Sequence, residues 1–326
     1  MPEKVLIAGP AAARDFLSRL ADQVSRDGVD VIVASDLLRP SEHPHWENVD
    51  ILVAYAVPCS AADMDRARAL RAIITPSLGY EGIDINAATK RGIIVANGQV
   101  LENYQSVAEA VMLLVLMALY DVNGSQRKLR PDKFPGAPRL VPRTLSGKTI
   151  GVIGYGNIGR ELIKRLQGWN VTILVHTRTP PADLACGCQC VSFDQLIAES
   201  DIVIPLVPLT DSTRHMLDRD RLLSMRDGAI LVNMSRGGVI EEKALSSPEV
   251  STHLRTIALD VFETEPLPVD SPLRTLGNTV LTPHELARTQ ENLEALFVRA
   301  VKNINAVIEN RLPETALNLD AWAGRV

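Results

Sequence analysis

The chain has 326 residues, 46% of them apolar, which is too long for one ordinary domain and sufficient for two buried cores. Its formal net charge of −5 argues against a nucleic-acid or anionic-membrane partner. Four cysteines in a chain of this size exclude a disulfide framework and fit a reducing compartment.

The opening segment, MPEKVLIAGPAAARDFL, reads as a strand running into a helix. It lacks the basic start, long apolar run and small-residue cleavage site of a secretory signal, so a soluble cytoplasmic protein is expected. Short β-branched runs follow at regular spacing: KVLIAG, VDVIVAS, DILVAYAV, RAIITPS and GIIVANG. Helical patterns such as AAARDFLSRLADQVS and AADMDRARAL separate them, an order that implies βα units on a mostly parallel sheet. The pattern changes at Gly98. The spacing there predicts an apolar helix over Ser106–Tyr120, whose core AVMLLVLMALY is too short to span a bilayer. A Pro- and Arg-rich loop, KLRPDKFPGAPRLVPRTLSG, comes next.

A second series starts at Lys148 with TIGVIG, VTILVH, DIVIPLV, AILVNM, TIALDVF and TVLTP, and an amphipathic helix over Arg288–Asn310 closes the chain. Within this series Cys186, Cys188 and Cys190 alternate on one face of a short strand (CGCQC). Their spacing is not that of a zinc site, and no metal is expected. The fold class is therefore α/β, with two doubly wound parallel-sheet domains. Residues 1–97 and 288–326 form one, and residues 98–287 form the other, inserted into the first.

The loop GYGNIG (Gly154, Gly156, Gly159) lies between the apolar strand TIGVI and the helical GRELIKRLQGW. In that context its glycines permit a tight turn, backbone approach to a pyrophosphate, and packing of helix on strand. The helix N-terminus then offers N–H groups and partial positive charge to phosphates. An acid that grips the ribose of NAD belongs about twenty residues further on. Thr177, Arg178 and Thr179 stand there instead. A fixed positive charge between two hydroxyl donors suits the 2′-phosphate of NADP(H). The other reading, Arg178 stacked on the adenine of either cofactor, leaves NAD(H) possible.

VNMSRGGVIEEKAL (232–245), LDVFETEPL (259–267) and LTPHELART (281–289), with SVAEA, LSGKTIGVIGYGNIGR and PLTDSTRHML, closely resemble the D-isomer-specific 2-hydroxyacid dehydrogenases, the glyoxylate/hydroxypyruvate reductases among them. The likeness runs from about Ile73 to Thr289, and the first 70 residues match in pattern only. It implies a Rossmann dinucleotide-binding domain inserted into a flavodoxin-like substrate domain. It also implies a homodimer, for which the 106–120 helix and the loop after it supply the surface. Three catalytic positions are implied. Arg236 takes the carboxylate and keto oxygen of a small 2-keto or 2-hydroxy acid, His284 exchanges the proton, and Glu265 holds the imidazole. Asn157 and Ile158 in the loop, Pro208, Met234 and Asp260 complete the cofactor set.

Taken singly, Arg236 fits a solvated strand end, Glu265 a loop acid, His284 a core histidine and Asp260 a turn cap. Ser77, Leu78 and Gly79 match the family loop whose amides receive the substrate carboxylate. Tyr55 fits a pocket wall or a core position equally. Leu78 in place of a lysine disfavours phosphite, and Glu265 in place of a glutamine disfavours formate. Glu285 and Leu286 depart from the small residues usual after the histidine: the bulk of Leu286 bears on the nicotinamide contacts, and Glu285 faces solvent or a partner subunit. Elsewhere His215 and His253 read as core histidines, and His43 and His45 as solvent-exposed. Two other functions share these motifs: NAD-dependent oxidation of a D-2-hydroxy acid, and a nucleotide-sensing scaffold of the corepressor type.

Overall fold

The computed structural model describes residues 2–129, 140–179, 184–185 and 187–323. The chain divides into two compact units, Met1–Asn103 with Gln290–Val326, and Tyr104–Thr289.

The first unit carries β1 (Glu3–Gly9), β2 (Val29–Ser35), β3 (Ile51–Ala54), β4 (Ala72–Ile74) and β5 (Ile94–Ala96). They form an all-parallel five-stranded sheet in the order β2-β1-β3-β4-β5, the flavodoxin-like arrangement. Successive residues serve opposite faces of the sheet. Leu6, Ala8, Leu52, Ile73 and Val95 belong to one core, and Val5, Ile7, Ile51, Val53, Ile74 and Ile94 to the other. The second core also takes Leu17, Leu20 and Val24 of the helix Arg14–Val24, and Phe297, Ala300, Ile304 and Val307 of the helix Gln290–Ile308. The C-terminal helix therefore packs on the N-terminal sheet.

The second unit carries β6 (Thr149–Ile153), β7 (Thr172–His176), β8 (Cys188–Cys190), β9 (Ile202–Pro205), β10 (Ile230–Asn233), β11 (Thr256–Leu259) and β12 (Thr279–Leu281). These seven strands are also all parallel, in the order β12-β11-β10-β9-β6-β7-β8. This is the Rossmann order with one strand added at an edge. The alternation recurs: Ile202, Ile204, Ile230 and Val232 face one core, Val203, Leu231 and Ile257 the other. Strand order reverses between β6 and β9, and ligands of such sheets bind at the strands' carboxyl ends at that point.

The apolar helix is longer than its sequence suggests, running over Leu101–Tyr120. Glu102, Asn103 and Gln105 interrupt the apolar run without breaking the helix, since none of them is a strong helix breaker. By length and composition it could cross a bilayer, but 56% of its most apolar window is buried. Val107, Val111, Leu114, Val115 and Leu119 share the core that holds Ile150 and Val152 of β6, so it is a core helix. Cys188 and Cys190 lie on β8 as expected, half-buried and exposed. Cys186 lies outside the described residues, as do residues 130–139 of the Pro- and Arg-rich loop.

Candidate active site

The glycine loop directly follows β6. Gly154 has φ +107, and a Cβ there would lie 2.4 Å from the Leu206 carbonyl oxygen at the end of β9. A Cβ on Gly159 would meet the Gly154 oxygen at 2.6 Å. Both glycines are fixed by backbone packing. Gly156 differs, since a Cβ there would meet nothing within 4 Å. It is the N-cap of the helix Asn157–Leu166 and offers no side-chain acceptor to that helix's first amides. An exposed cradle at a helix N-terminus on the switch point fits the pyrophosphate of a dinucleotide. Asn157 is exposed beside it, and Ile158 turns onto the core. Beneath the loop, the Tyr155 hydroxyl accepts from the Ala185 amide (2.9 Å), and the Arg160 guanidinium lies 4.3 Å over the Tyr155 ring.

Past the end of β7, Thr177 is half-buried while Arg178 and Thr179 are exposed. Arg178 makes no ion pair among the described residues, so its charge is available to a ligand. After β9, Pro208 is exposed and its carbonyl accepts from the Thr213 hydroxyl at 2.6 Å. Met234 is buried after β10.

The three candidate catalytic residues come from the ends of β10, β11 and β12. Asn233 closes β10; its Oδ1 accepts from the Ser235 amide (3.0 Å) and hydroxyl (2.8 Å), and its Nδ2 donates to the Arg236 carbonyl (3.0 Å). These bonds fix the turn that presents Arg236, whose guanidinium donates to the Ser235 carbonyl at 2.7 Å. Gly237 then runs against the backbone that follows β11. A Cβ there would lie 1.9 Å from the Phe262 carbonyl carbon and 2.3 Å from the Glu263 nitrogen. Only glycine permits that approach, and it draws the Arg236 turn onto the 262–265 arm.

On that arm Glu265 Oε1 accepts from the Phe262 amide (3.0 Å), and Oε2 accepts from His284 Nδ1–H (2.7 Å). Burial pushes the Glu265 carboxyl up. The His284 hydrogen bond, the Phe262 amide and the charges of His284 and Arg236 outweigh it and hold the group below its ordinary value. His284 sits at φ +57, in the left-handed region, with its ring partly exposed. With Nδ1 committed to the carboxylate, Nε2 is the nitrogen left to a substrate. Asp260, at the end of β11, is 1% exposed, and burial raises its carboxyl above its usual range despite donors from Thr282, Glu285 and Leu286. Its Oδ1 accepts from the Glu285 amide at 3.2 Å.

The departures after His284 find their places. Leu286 packs against the core of the unit, and Glu285 is exposed, 3.6 Å from Arg288. The expectations for His215, His253 and His43 are corrected. His215 is no core histidine: it is partly exposed, at φ +51, and its Nε2–H donates to Glu263 Oε1 at 2.8 Å. A partner 48 positions away along the chain left no local signal. His253 is half-buried, with Nε2–H donating to the Met225 carbonyl at 2.8 Å, and His43 is half-buried where exposure was expected.

In the first unit the loop after β4 is braced from within. Thr75 Oγ1 (3.1 Å) and Ser77 Oγ (3.0 Å) donate to the Gly79 carbonyl, and buried Asn97 donates to the Leu78 carbonyl (2.7 Å). The Leu78 and Gly79 amides donate to no acceptor among the described residues, which leaves two N–H groups for an anion. Tyr55 follows β3 half-buried, its ring 5.3 Å from that of Phe16, which in turn lies 5.8 Å from Phe297. Its ring is part of this packing. The bracing by Thr75 and Asn97 went unread because both look like ordinary strand-end polar residues.

The family model for "D-isomer specific 2-hydroxyacid dehydrogenase, NAD binding domain" matches residues 112–285. A hydroxypyruvate reductase of Thermotoga maritima is 35% identical over 295 residues, covering 89% of this chain and 95% of that protein. A D-3-phosphoglycerate dehydrogenase of Methanocaldococcus jannaschii is 33% identical over 97% of this chain, which spans only 59% of that relative's length. Among solved structures, an NADPH-dependent glyoxylate/hydroxypyruvate reductase from Sinorhizobium meliloti, in complex with NADP and malonate, superimposes with a TM-score of 0.85. It is 26% identical, and the match covers 97% of each chain.

Proposed function

Because the chain belongs to the D-isomer-specific 2-hydroxyacid dehydrogenase family, we propose that it reduces a small 2-keto acid of the glyoxylate or hydroxypyruvate kind to the D-2-hydroxy acid, with NADPH preferred. The observation that carries the reading is the 2.7 Å His284–Glu265 pair, with the charge of Arg236 acting on the same carboxylate.

Arg236 holds the substrate's carboxylate and keto oxygen, for which a planar, permanently charged fork of donors is suited. His284, with Nδ1–H on Glu265, gives the proton on Nε2 to the carbonyl oxygen. The Glu265 carboxylate offsets the charge of the imidazolium in the loaded state and fixes its orientation. Asp260 stands beside them. When bound, the nicotinamide supplies the hydride. Gly154, Gly156 and Gly159 with the amides of Asn157 and Ile158 hold the pyrophosphate, and Pro208 and Met234 line the rest of the cofactor's path. Arg178, exposed between Thr177 and Thr179, receives the 2′-phosphate. The NADP-bound relative is in keeping with that preference. Use of NAD(H) is the second reading, since the matching family model is an NAD-binding domain.

The enzyme works as a homodimer in this proposal. Leu113 and Tyr120 are each 46% exposed and two helical turns apart on Leu101–Tyr120, a stripe that a second copy would cover. Consumption of NADPH and of NADH with glyoxylate, hydroxypyruvate and bulkier 2-keto acids tests the reading. Absence of turnover with every acid and both cofactors removes it. Equal use of the two cofactors removes only the preference.

A further inference from the structure

A second histidine–glutamate pair, His215–Glu263, shares the 262–265 segment with the first. We propose that His215 is a positioning residue for the Arg236, Glu265 and His284 group, tying the 262–265 arm to the turn that follows Arg236. This inference rests on the reductase reading above for its kinetic consequence and on geometry for its mechanical one.

His215 touches both sides of that junction. Its backbone N–H donates to the Gly238 carbonyl (2.8 Å), two residues beyond Arg236. Its Nε2–H donates to Glu263 Oε1 (2.8 Å), two residues before Glu265. The segment that carries it is zipped to the same turn, with the Leu217 amide on the Val239 carbonyl (3.2 Å) and the Glu241 amide on the Leu217 carbonyl (3.1 Å). Glu263 is gripped from a further side: Oε1 also accepts from the Glu242 amide (3.1 Å), and its own amide donates to Glu242 Oε2 (2.8 Å). His215 holds φ +51, a conformation in which a non-glycine residue is uncommon and which the surrounding bonds must maintain.

The arm needs such a tie because its charges oppose closure. The charges of Glu263 and Glu265 both act on Glu242. Burial raises the Glu242 carboxyl, the Glu263 amide works against this, and the two charges raise it further. The imidazole N–H of His215 places a donor against this group of acids. Without it Glu263 keeps only its bonds to Glu242, the 262–265 segment loses its side-chain tie to the turn after Arg236, and the carboxylate on His284 is held less firmly. Misplacement of a reacting group by about an ångström costs on the order of a hundredfold in rate.

The alternative is an exposed ion pair of no consequence, as many are. The test uses the full chain, titrating the His284 imidazole by NMR and measuring kcat with NADPH and hydroxypyruvate in wild type, His215→Ala and His215→Gln. The glutamine amide retains an N–H able to reach Glu263. Expected for His215→Ala are a lowered His284 titration midpoint and a kcat reduced about tenfold to a hundredfold, with NADPH affinity unchanged. His215→Gln should restore most of both. Glu263→Gln added to His215→Ala should bring little further loss, because the two act through one contact. An unmoved His284 midpoint in His215→Ala overturns the proposal whatever the rate does, and so does a change that His215→Gln fails to reverse. Wild type that turns over no 2-keto acid while the midpoint still moves defeats the reductase reading and leaves the positioning role standing.

Discussion

Two glycine turns at strand ends of the same sheet serve opposite purposes. At Gly156, after β6, a methyl group would meet nothing within 4 Å, so no protein contact demands the glycine. At Gly237, after β10, the same methyl would lie 1.9 Å from the Phe262 carbonyl carbon. At the first, Gly156 leaves open space at a helix N-terminus, whereas at the second the chain itself fills the space and brings the turn after Arg236 against the 262–265 arm. Ligand affinity and structural integrity should therefore separate between them, and each substitution below asks whether they do.

The largest effect belongs to the chain-shaped side. Loss of His284, which holds its proton against Glu265 at 2.7 Å, should cost ~10²–10⁴ in kcat with cofactor binding intact. Stopped-flow reduction by His284→Ala checks this, and near-wild-type turnover would remove the acid role. Gly237→Ala follows. Overpacking typically costs about 1–3 kcal/mol, and a clash with rigid backbone should sit at the upper end. Thermal melting should show a fall of several degrees together with loss of turnover. A Gly237→Ala protein with unchanged Tm would break the contrast outright.

The open side should behave differently. Gly156→Ala should leave Tm unchanged in the absence of cofactor and weaken NADPH and NADH alike, which calorimetric titration would show. Arg178→Ala should discriminate between the cofactors. A charge-assisted hydrogen bond to the 2′-phosphate is worth ~1.5–3 kcal/mol, on the order of ten- to a hundredfold in kcat/KM for NADPH, with NADH nearly untouched. The preference should also shrink with rising salt, because Arg178 is exposed. Equal weakening of both cofactors would make Arg178 an adenine neighbour.

The difference between the two turns also marks how far the sequence could be read. The β6–loop–helix unit is contiguous, so strand, glycines and helix announce each other within GKTIGVIGYGNIGR. The parallel sheets were legible for the same reason, through short β-branched runs alternating with helical spacing. Arg236, Glu265 and His284 were legible as motifs in order, while their meeting depends on three strand ends brought together by β10, β11 and β12. What the GG after Arg236 packs against was hidden, because Phe262 lies on another strand's exit. His215 was misread since an isolated histidine gives no sign of a partner until Glu263 is folded onto it. Leu286 looked obstructive for lack of the core it packs on.

The smallest expected effect is the most discriminating for the pair itself. Glu265 is held below its ordinary carboxylate range, since its contacts with His284, Phe262 and Arg236 exceed the upward push of burial. A group depressed in the folded state contributes stability above its unfolded pKa, and that contribution is lost as pH falls through the folded value. Glu265→Gln should therefore melt below wild type at neutral pH, and the two curves should converge only in acid, below the usual carboxylate range. The glutamine carries no charge to favour imidazolium, so His284 should lose its proton at lower pH and the kcat/KM profile for reduction should retreat toward acid. Melting temperatures and rates measured across the same pH series address both halves. If Tm responds and the rate profile stays fixed, Glu265 braces the loop without governing the proton on His284. If the profile moves while the melting curves coincide throughout, the carboxylate acts on the proton alone and the arm is held by Gly237 and its neighbours.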